Sequence, residues 1–179
     1  MTQIGIAYAQ GLYALAKEEG ITETVLQQLD ALQAAFSEAP GFTRLLSTPN
    51  LSKEERLSVL DSSFREKLHP YVLNFMKLLT ERGYIKHFAD CCKAFRAQYN
   101  EDNGILPVHA VTAVALTQSQ ADKLREKLCA ITGKTVELIC RTDPGCLGGI
   151  RLDYDGKRID GTVKSRLDGM AALLKNTVL

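Results

Sequence analysis

The segment "RTDPGCLGGIRLDYDGKRIDGT", residues 141–162, decides how the C-terminal part of the chain folds. Within it, residues 150–154 alternate between apolar and charged side chains, which is the two-residue period of a half-exposed β-strand. The dipeptide Asp155-Gly156 follows at once and predicts a two-residue hairpin turn into a second short strand, "KRID". The segment therefore predicts a β-hairpin that is preceded by a glycine-rich loop.

The glycine pair Gly148-Gly149 in that loop has two interpretations. A phosphate-binding loop follows a strand and leads into a helix whose N-terminus faces the anion. Here the pair leads into a strand instead, and the preceding Asp143-Pro144 is typical of a turn. The sequence therefore favours a β-bulge or a close approach of two backbones, and a nucleotide site is the less favoured alternative.

Two further strands and two helices are predicted around the hairpin. The segments "ILPVHAVTAVAL" (105–116) and "KTVELICRT" (134–142) have the composition of strands. Between them, residues 117–133 open on Thr and Gln at capping-box spacing and end on Gly, as a helix does. A small α/β domain with a short sheet and two helices is therefore predicted over residues 105–179. Its last helix places four apolar residues on one face: Val163, Leu167, Met170 and Leu174.

The first hundred residues predict helices with few interruptions. Ser52 and Glu55 have the spacing of a capping box at the start of one helix. Pro70 suits the first turn of the next helix, and Gly83 is placed to end it. The sequence therefore predicts a compact helical bundle over residues 1–104, and an α+β chain of two domains.

Two of the predicted helices carry more apolar surface than one core requires. Apolar side chains cover more than half the circumference of "QIGIAYAQGLYALAKEE" (3–19), and "YVLNFMKLL" (71–79) has a similarly broad apolar arc. Either both helices lie at the centre of the bundle, or they leave a groove between them that receives a partner helix. The sequence leaves both interpretations open.

The overall composition argues against several classes of protein. The 22 basic residues nearly balance the 21 acidic ones, so we expect no nucleic-acid partner. No run approaches the roughly 18 apolar residues of a membrane span, and no signal or transit segment is recognised at the N-terminus, so we expect no direct membrane insertion. The five cysteines are an odd number without repeated C-x-x-C spacing, which favours a reducing compartment.

Catalytic and metal-binding signatures are absent from the sequence. The three histidines lie in separate predicted elements, and neither G-x-S-x-G nor H-E-x-x-H occurs. His87 and Cys91 stand four residues apart on a helix, but a closed metal site needs about four ligands, so we favour an ordinary surface pair. The sequence therefore predicts no catalytic residue, no metal and no cofactor.

Three blocks of sequence together resemble the delta subunit of bacterial F-type ATP synthase, which is related to the mitochondrial oligomycin-sensitivity-conferring protein. They are "YAQGLYALA", "NFMKLLTERGYIKHFADCCKAF" and "TDPGCLGGIRLDYDGKRIDGTVKSRL", in that order and spacing over the whole chain. The last block is the most specific, because it resembles the family signature of Gly-Gly, a short hairpin, Asp-Gly-Thr-Val and then Arg-Leu.

The resemblance implies a connector without catalysis. In that family a six-helix N-terminal domain binds the N-terminal segments of the alpha subunits of the catalytic head, and the C-terminal domain binds the C-terminal ends of the peripheral-stalk b subunits. The complex lies on the cytoplasmic face of the bacterial cell membrane and couples proton-driven rotation to ATP synthesis, because the connector keeps the head from turning with the rotor.

Carried onto this sequence, the resemblance assigns residues to both contacts. The contact with the alpha subunits is assigned to Tyr8, Leu12, Leu15, Phe75, Met76 and Leu79. The stalk contact is assigned to Gly148, Gly149, Asp160, Gly161, Val163 and Leu167. Two alternatives stay open: a small ligand-binding or regulatory domain that uses the Gly148-Gly149 loop, and a free-standing adaptor that uses the helical groove without a synthase.

Overall fold

The structure is a computed structural model that describes residues 2–39, 41, 45 and 52–177, with the backbone alone from residue 171 onward. It divides into two compact units, Met1–Tyr99 and Asn100–Leu179. The chain is thus mixed α and β, with helices first and a four-stranded sheet after them. No helix in the described ranges is long and apolar enough to cross a membrane.

Five α-helices belong to the N-terminal unit as far as it is described, and a short 3-10 turn, Ile85–His87, precedes the fifth. Most of residues 40–51 lies outside the described residues, so the sixth helix of the bundle stays a prediction. The five are α1 (Gln3–Glu18), α2 (Thr22–Glu38), α3 (Lys53–Phe64), α4 (Pro70–Glu81) and α5 (Phe88–Asp102).

The helix ends predicted from local sequence are present. The Ser52 hydroxyl accepts a hydrogen bond from the backbone N–H of Glu55, and the Glu55 carboxylate accepts one from the backbone N–H of Ser52. Pro70 occupies the first turn of α4, and Gly83 follows the end of that helix with a φ of 74°, which favours glycine. These ends are fixed by side chains close in sequence, which is why a local pattern predicts them.

The core of the N-terminal unit contains apolar side chains from each of its described helices. Apolar side chains that are fully enclosed include Leu29 of α2, Leu60 of α3, Met76 of α4 and Phe95 of α5. Aromatic rings meet edge to face within it, as Tyr13 of α1 and Phe95 do at 5.2 Å between ring centroids. Burial of these side chains from water is the main stabilising term of this unit.

Cys91 and Cys92 both lie in this core, so the interpretation of Cys91 as half of a surface pair was wrong. His87 contacts the Thr2 hydroxyl through Nδ1 at 3.4 Å rather than a metal-ligand partner. Burial raises the pKa of the Cys91 thiol to about 11 and that of the Cys92 thiol to about 12. Both side chains therefore serve as small apolar groups at neutral pH.

We expect a thiol reagent at neutral pH to modify exposed Cys140 rapidly and buried Cys91 and Cys92 only after denaturation. The folded state holds the two thiol protons more tightly than the unfolded state, whose thiols ionise near pH 8.5. The two thiols should thus make their full contribution to the free energy of unfolding below about pH 8.5, and this contribution should fall as the pH rises beyond that value. Peptide mass mapping after timed labelling, with Cys140→Ser as control, measures the first effect. Rapid modification of Cys91 or Cys92 would contradict their burial.

The C-terminal unit is a four-stranded sheet with two helices. Strand order is β2-β1-β3-β4, with β1 and β2 parallel and the other two pairs antiparallel. The predicted strands, hairpin and helices are all present, with β1 shorter than expected. The elements are β1 (Ile105–Thr112), α6 (Gln118–Thr132), β2 (Thr135–Thr142), β3 (Ile150–Tyr154), β4 (Lys157–Asp160) and α7 (Val163–Thr177).

Strand β1 ends at Thr112, four residues before the predicted end at residue 116. The Thr112 hydroxyl donates a hydrogen bond to the carbonyl oxygen of Val114 at 2.7 Å, and this local contact turns the chain out of the sheet. Thr117 then caps α6 with Gln120, as predicted. The apolar run "AVAL" after Thr112 therefore belongs to the loop between β1 and α6. Composition alone does not show where the hydrogen bonds between two strands end.

The two faces of the sheet differ in character. On one face, Val108 and Ala110 of β1, Val136 of β2 and Leu152 of β3 form the core of this unit with Leu128 of α6. The opposite face carries mostly polar and charged side chains, such as His109, Arg151 and Asp153, together with Pro107 and Val111. The helix α6 therefore covers one face, which is the arrangement expected of a small α/β layer.

Candidate functional site

An apolar groove runs between α1 and α4 in the N-terminal unit. Its volume is about 500 Å³, and most of its lining is carbon. Such a groove on a helical unit has the shape and chemistry that receive the apolar face of another helix. The residues that line it are Ala7, Tyr8, Gly11, Leu12, Leu15, Tyr71, Asn74, Phe75 and Leu78.

Four of the six residues predicted for the contact with the alpha subunits line this groove: Tyr8, Leu12, Leu15 and Phe75. The other two, Met76 and Leu79, are 0% exposed and lie in the core instead. We therefore assign these two residues to the core and not to the contact surface, because a side chain without exposed area cannot contact a partner.

Leu78 is one of three α4 groove residues that the sequence prediction missed, with Tyr71 and Asn74. It is 40% exposed in the groove, and Leu15 opposite it on α1 is 48% exposed. Because "YVLNFMKLL" is apolar around most of its circumference, the helical wheel gives no phase that separates Leu78 from Leu79. Only the packing of α4 against its neighbours shows which of the two adjacent leucines faces outward.

Gly11 lines the groove from inside α1 and is exposed. A methyl group added there would meet no heavy atom within 4 Å. Glycine inside a helix lowers its stability relative to alanine by roughly 0.5–1 kcal/mol, and nothing within the unit fills the space in return. The open space instead enlarges the groove.

One end of the groove is acidic. The Tyr71 hydroxyl donates a hydrogen bond to the carboxylate of Glu19 at 3.2 Å, which joins α4 to the end of α1. The negative charge of Glu19 raises the pKa of the Tyr71 hydroxyl, and the hydrogen bond to Glu19 adds to the shift. Tyr71 is thus held at the rim of the groove as a neutral hydroxyl.

In the C-terminal unit, Gly149 and Gly161 bring two backbones into direct contact. Gly149 has a φ of 78°, and a Cβ at this position would overlap the carbonyl oxygen of Gly161 and lie 3.0 Å from the Cα atom of Thr162. The space beside the glycine pair is therefore filled by the chain itself. This is the close approach that the sequence favoured over a phosphate loop.

Asp160 organises the entry into α7. Its carboxylate accepts hydrogen bonds from the hydroxyl and the backbone N–H of Thr162 at 2.7 and 2.9 Å, and these bonds lower the pKa of Asp160. The Thr162 hydroxyl also accepts a bond from the backbone N–H of Ser165 at 3.2 Å, as an N-cap does. Asp160 therefore orients the cap of the last helix, and a Cβ at Gly161 would lie 3.2 Å from the carbonyl oxygen of Ile150.

The helix α7 presents an apolar strip to solvent. Val163, Leu167 and Met170 are 42%, 52% and 61% exposed and follow the i, i+4, i+7 spacing of one helical face. The backbone N–H of Val163 donates to the carbonyl oxygen of Gly148 at 3.0 Å, which fixes the start of the strip against the glycine loop. We call these three residues the α7 strip. Of the six residues predicted for the stalk contact, Gly148 and Gly149 lie in the loop, Asp160 ends β4, Gly161 follows it, and Val163 and Leu167 lie on α7.

The polar face of the sheet forms a broader concavity with balanced charge. Asp153 lies between two arginines there, at 2.5 Å from Arg158 Nε and 3.4 Å from Arg151 Nε. The Arg158 guanidinium, more than any other group, lowers the pKa of the Asp153 carboxyl. Asp153 offsets one of these two cations, and with Asp143 and Asp155 the lining has three acidic residues against four basic ones, so little net charge remains to favour an anionic ligand.

Sequence comparison relates the chain to one family over nearly its full length. The family model described as ATP synthase delta (OSCP) subunit matches residues 4–174. An ATP synthase subunit delta from Lacticaseibacillus casei is 34% identical over 168 residues, which are 93% of this chain and 92% of that protein. Another, from Clostridioides difficile, is 27% identical over 96% of this chain and 95% of that protein.

Structure comparison finds a similar fold in a chain of the Toxoplasma gondii mitochondrial ATP synthase hexamer, determined by cryo-electron microscopy. The TM-score is 0.77 at 22% sequence identity, and the match covers 97% of this chain and 98% of that one. At this level of identity the comparison shows a shared fold. The described helices and sheet are therefore an arrangement that an experimentally determined structure also has.

Proposed function

The chain belongs to the ATP synthase delta (OSCP) subunit family, and we propose that its part in the complex is to join the catalytic head to the peripheral stalk through two separate surfaces. It is a structural, non-catalytic component of the peripheral stalk of the F-type ATP synthase. One observation supports the proposal most strongly: the described part of each unit exposes an apolar surface, the groove in the first and the α7 strip in the second.

In this proposal the helical domain, residues 1–104, binds the N-terminal segments of the alpha subunits. Leu15 and Leu78 line the groove with exposed apolar area, and Gly11 adds open space to it. An amphipathic helix from a partner would bury both leucines and exclude water from the groove. Four of the residues that the family resemblance assigns to this contact line the same groove, which supports the assignment.

The C-terminal domain, residues 105–179, is proposed to bind the C-terminal ends of the b subunits. The α7 strip offers three exposed apolar side chains on one helical face, which suits contact with a helix of the stalk. Asp160, Gly161 and the glycine pair then contribute indirectly, because they fix the position of α7 rather than contact the partner. This is a narrower role than the direct contact predicted from sequence.

The proposed partners also imply where the protein lies in the cell. A connector between head and stalk lies at the membrane surface as a peripheral part of the complex, and the bacterial relatives support the cytoplasmic face of a bacterial membrane. The connector holds the head against the torque of the rotor, so that rotation driven by protons is coupled to ATP synthesis.

The connector proposal predicts that its two contacts fail independently. We expect Leu167→Asp to weaken binding of the full-length chain to the C-terminal segment of the b subunits by about thirtyfold or more, because a charge then lies in an apolar contact. Binding to the catalytic head should stay unchanged. Titration calorimetry or pull-down with each partner separately measures the two affinities.

Ser165→Asp is the matched control for Leu167→Asp. Position 165 lies on the opposite side of α7, in its first turn, where an acidic side chain is favourable. The control should keep both contacts. Equal loss of head binding in Leu167→Asp, or loss of stalk binding in Ser165→Asp, would show that the α7 strip is not the separate stalk contact proposed here.

A further inference from the structure

The two helices that form the groove share one pattern of residues. Every apolar side chain that α1 buries has a buried counterpart in α4, at the same offset along the chain. These pairs are Ala9 with Val72, Leu12 with Phe75, Tyr13 with Met76, and Ala16 with Leu79. Groove residues at the same offset are Tyr8 with Tyr71, Gly11 with Asn74, and Leu15 with Leu78. The two walls of the groove are therefore built alike.

Both helices also end alike. Gly20 follows α1 and Gly83 follows α4, with φ of 68° and 74°. Each glycine donates its backbone N–H group to the carbonyl oxygen three residues earlier, at 3.2 and 3.1 Å. The two helices thus share their buried positions, their groove positions and the hydrogen bonds at their C-terminal ends.

The two helices run in opposite directions along the groove. Tyr71, in the first turn of α4, donates its hydroxyl hydrogen to Glu19 at the end of α1. At the other end, the ring centroid of Tyr8 in α1 lies 5.9 Å from that of Tyr84, which follows α4. An approximate two-fold axis through the middle of the groove therefore relates the walls, and each end has one tyrosine and one leucine. The apolar lining alone does not distinguish the two directions in which a helix can bind.

The middle of the groove breaks this symmetry. Leu12 and its counterpart Phe75 are both apolar there. Gly11, however, has no side chain, whereas its counterpart Asn74 carries an exposed amide. Among the described residues, none forms a hydrogen bond with that amide. A helix that covers the groove therefore either offers the Asn74 amide a hydrogen bond or leaves it without one.

We propose that Asn74 sets the direction of the partner helix, an inference that rests on the proposed binding of the alpha segment in this groove. The partner helix carries a hydrogen-bonding side chain on the flank that faces α4 and a small residue on the flank that faces α1. Reversal about the two-fold axis turns the hydrogen-bonding side chain toward Gly11, which has no side chain to pair with it. The Asn74 amide is then buried without a partner as well. Because each unpaired polar group opposes binding, one direction is preferred by about tenfold or more.

The charges at the two ends of the groove have a smaller effect on direction. Glu19 ends α1 and Arg82 ends α4, at equivalent positions and with opposite charges. Both are exposed, and neither lines the groove. Charged groups in water interact weakly, and salt screens them further. The Asn74 amide lies instead within the surface that a bound helix removes from water, where an unpaired polar group is costly.

An exchange of the two central residues tests the proposal in the full-length chain. The variant Gly11→Asn, Asn74→Gly carries the amide on the opposite wall, and position 11 has room because an added Cβ meets no heavy atom within 4 Å. The bound helix should therefore reverse its direction, with an affinity within about threefold of the wild type. The probe is a synthetic alpha N-terminal segment with a nitroxide label at its N-terminus. Nuclear magnetic resonance of the isotope-labelled chain shows whether the label broadens the backbone amide signals near Glu19 or those near Arg82.

Three further variants separate direction from other effects. Asn74→Ala leaves neither wall with an amide, so the segment should bind in both directions in nearly equal amounts. Gly11→Asn, Asn74→Ala repeats the exchange without placing glycine in α4, in case glycine unfolds that helix. Ala14→Asn is the matched control, since it adds an amide to an exposed position of α1 outside the groove and should keep the wild-type direction.

The outcomes distinguish this inference from the proposed function. If the wild-type chain does not bind the alpha segment, the proposed head contact is wrong and the inference fails with it. If the segment binds but keeps its direction in both exchange variants and in Asn74→Ala, the head contact stands and Asn74 does not set the direction. Binding of the wild type in both directions would overturn the inference in the same way. Circular dichroism of each variant shows which of the two exchange variants is folded and is therefore compared with the wild type.

Discussion

The double variant Leu15→Asp, Leu78→Asp is expected to bind the N-terminal segment of the alpha subunits at least about a hundredfold more weakly, while the free chain unfolds at a nearly unchanged temperature. Both side chains are substantially exposed in the free chain, so a carboxylate there stays in water and costs little. In the proposed complex the same carboxylates would be buried without a partner. Titration calorimetry with the synthetic alpha segment and thermal denaturation of the free chain measure the two effects.

Two controls accompany this double variant. Gln10→Asp adds a charge to an exposed position of α1 that does not line the groove and should leave binding unchanged. Leu79→Asp places a charge in the core and should lower stability by several kcal/mol, so its loss of binding reports unfolding. If Leu15→Asp, Leu78→Asp instead binds as well as the wild type, the groove is not the head contact.

Gly149→Ala is expected to destabilise the C-terminal unit by about 3 kcal/mol or more, which is a large change for one methyl group. Two costs add: a φ of 78° is unfavourable for alanine, and its Cβ overlaps the carbonyl oxygen of Gly161. Because the obstacle is backbone, it moves only if the Gly161 turn and the start of α7 move with it. Chemical denaturation followed by circular dichroism measures the loss.

Neighbouring glycines provide the comparison series. A Cβ at Gly148 would lie 3.2 Å from a methyl group of Val163, which can shift, so Gly148→Ala should cost less than about 1 kcal/mol. Gly156 has a φ of 69° with open space around it, so Gly156→Asn should be nearly neutral because asparagine tolerates this conformation. Equal effects at all three positions would mean that backbone contact does not make Gly149 special.

Features set by residues close in sequence could be predicted without a structure. The capping boxes of Ser52 with Glu55 and Thr117 with Gln120 form as their spacing predicts. Asp155 and Gly156 both have positive φ, so the predicted two-residue hairpin turn has the dihedral angles of type I′. Each of these depends on hydrogen bonds or dihedral preferences within a few residues, so the sequence contains the information locally.

Features set by distant packing could not be predicted in the same way. Leu78 and Leu79 are chemically identical neighbours, and only the contacts of α4 with other helices separate the groove residue from the core residue. The partner of Gly149 is twelve residues away in the chain, so the loop suggested a close approach without identifying Gly161 as its site. The position of β2 at an edge of the sheet likewise depends on its parallel pairing with β1.

The absence of a side chain at Gly11 allows a bound helix to come closer to α1. Packed helices usually lie 8–10 Å apart between their axes, and the side chains at the crossing point set the value. With hydrogen alone at position 11, backbone can approach backbone at that point, and weak Cα–H···O contacts become available in addition to apolar burial. The groove therefore favours a partner helix with a small residue at the crossing point, because that helix can pack closely against α1. A helix with a bulky residue at the crossing point stays farther from α1.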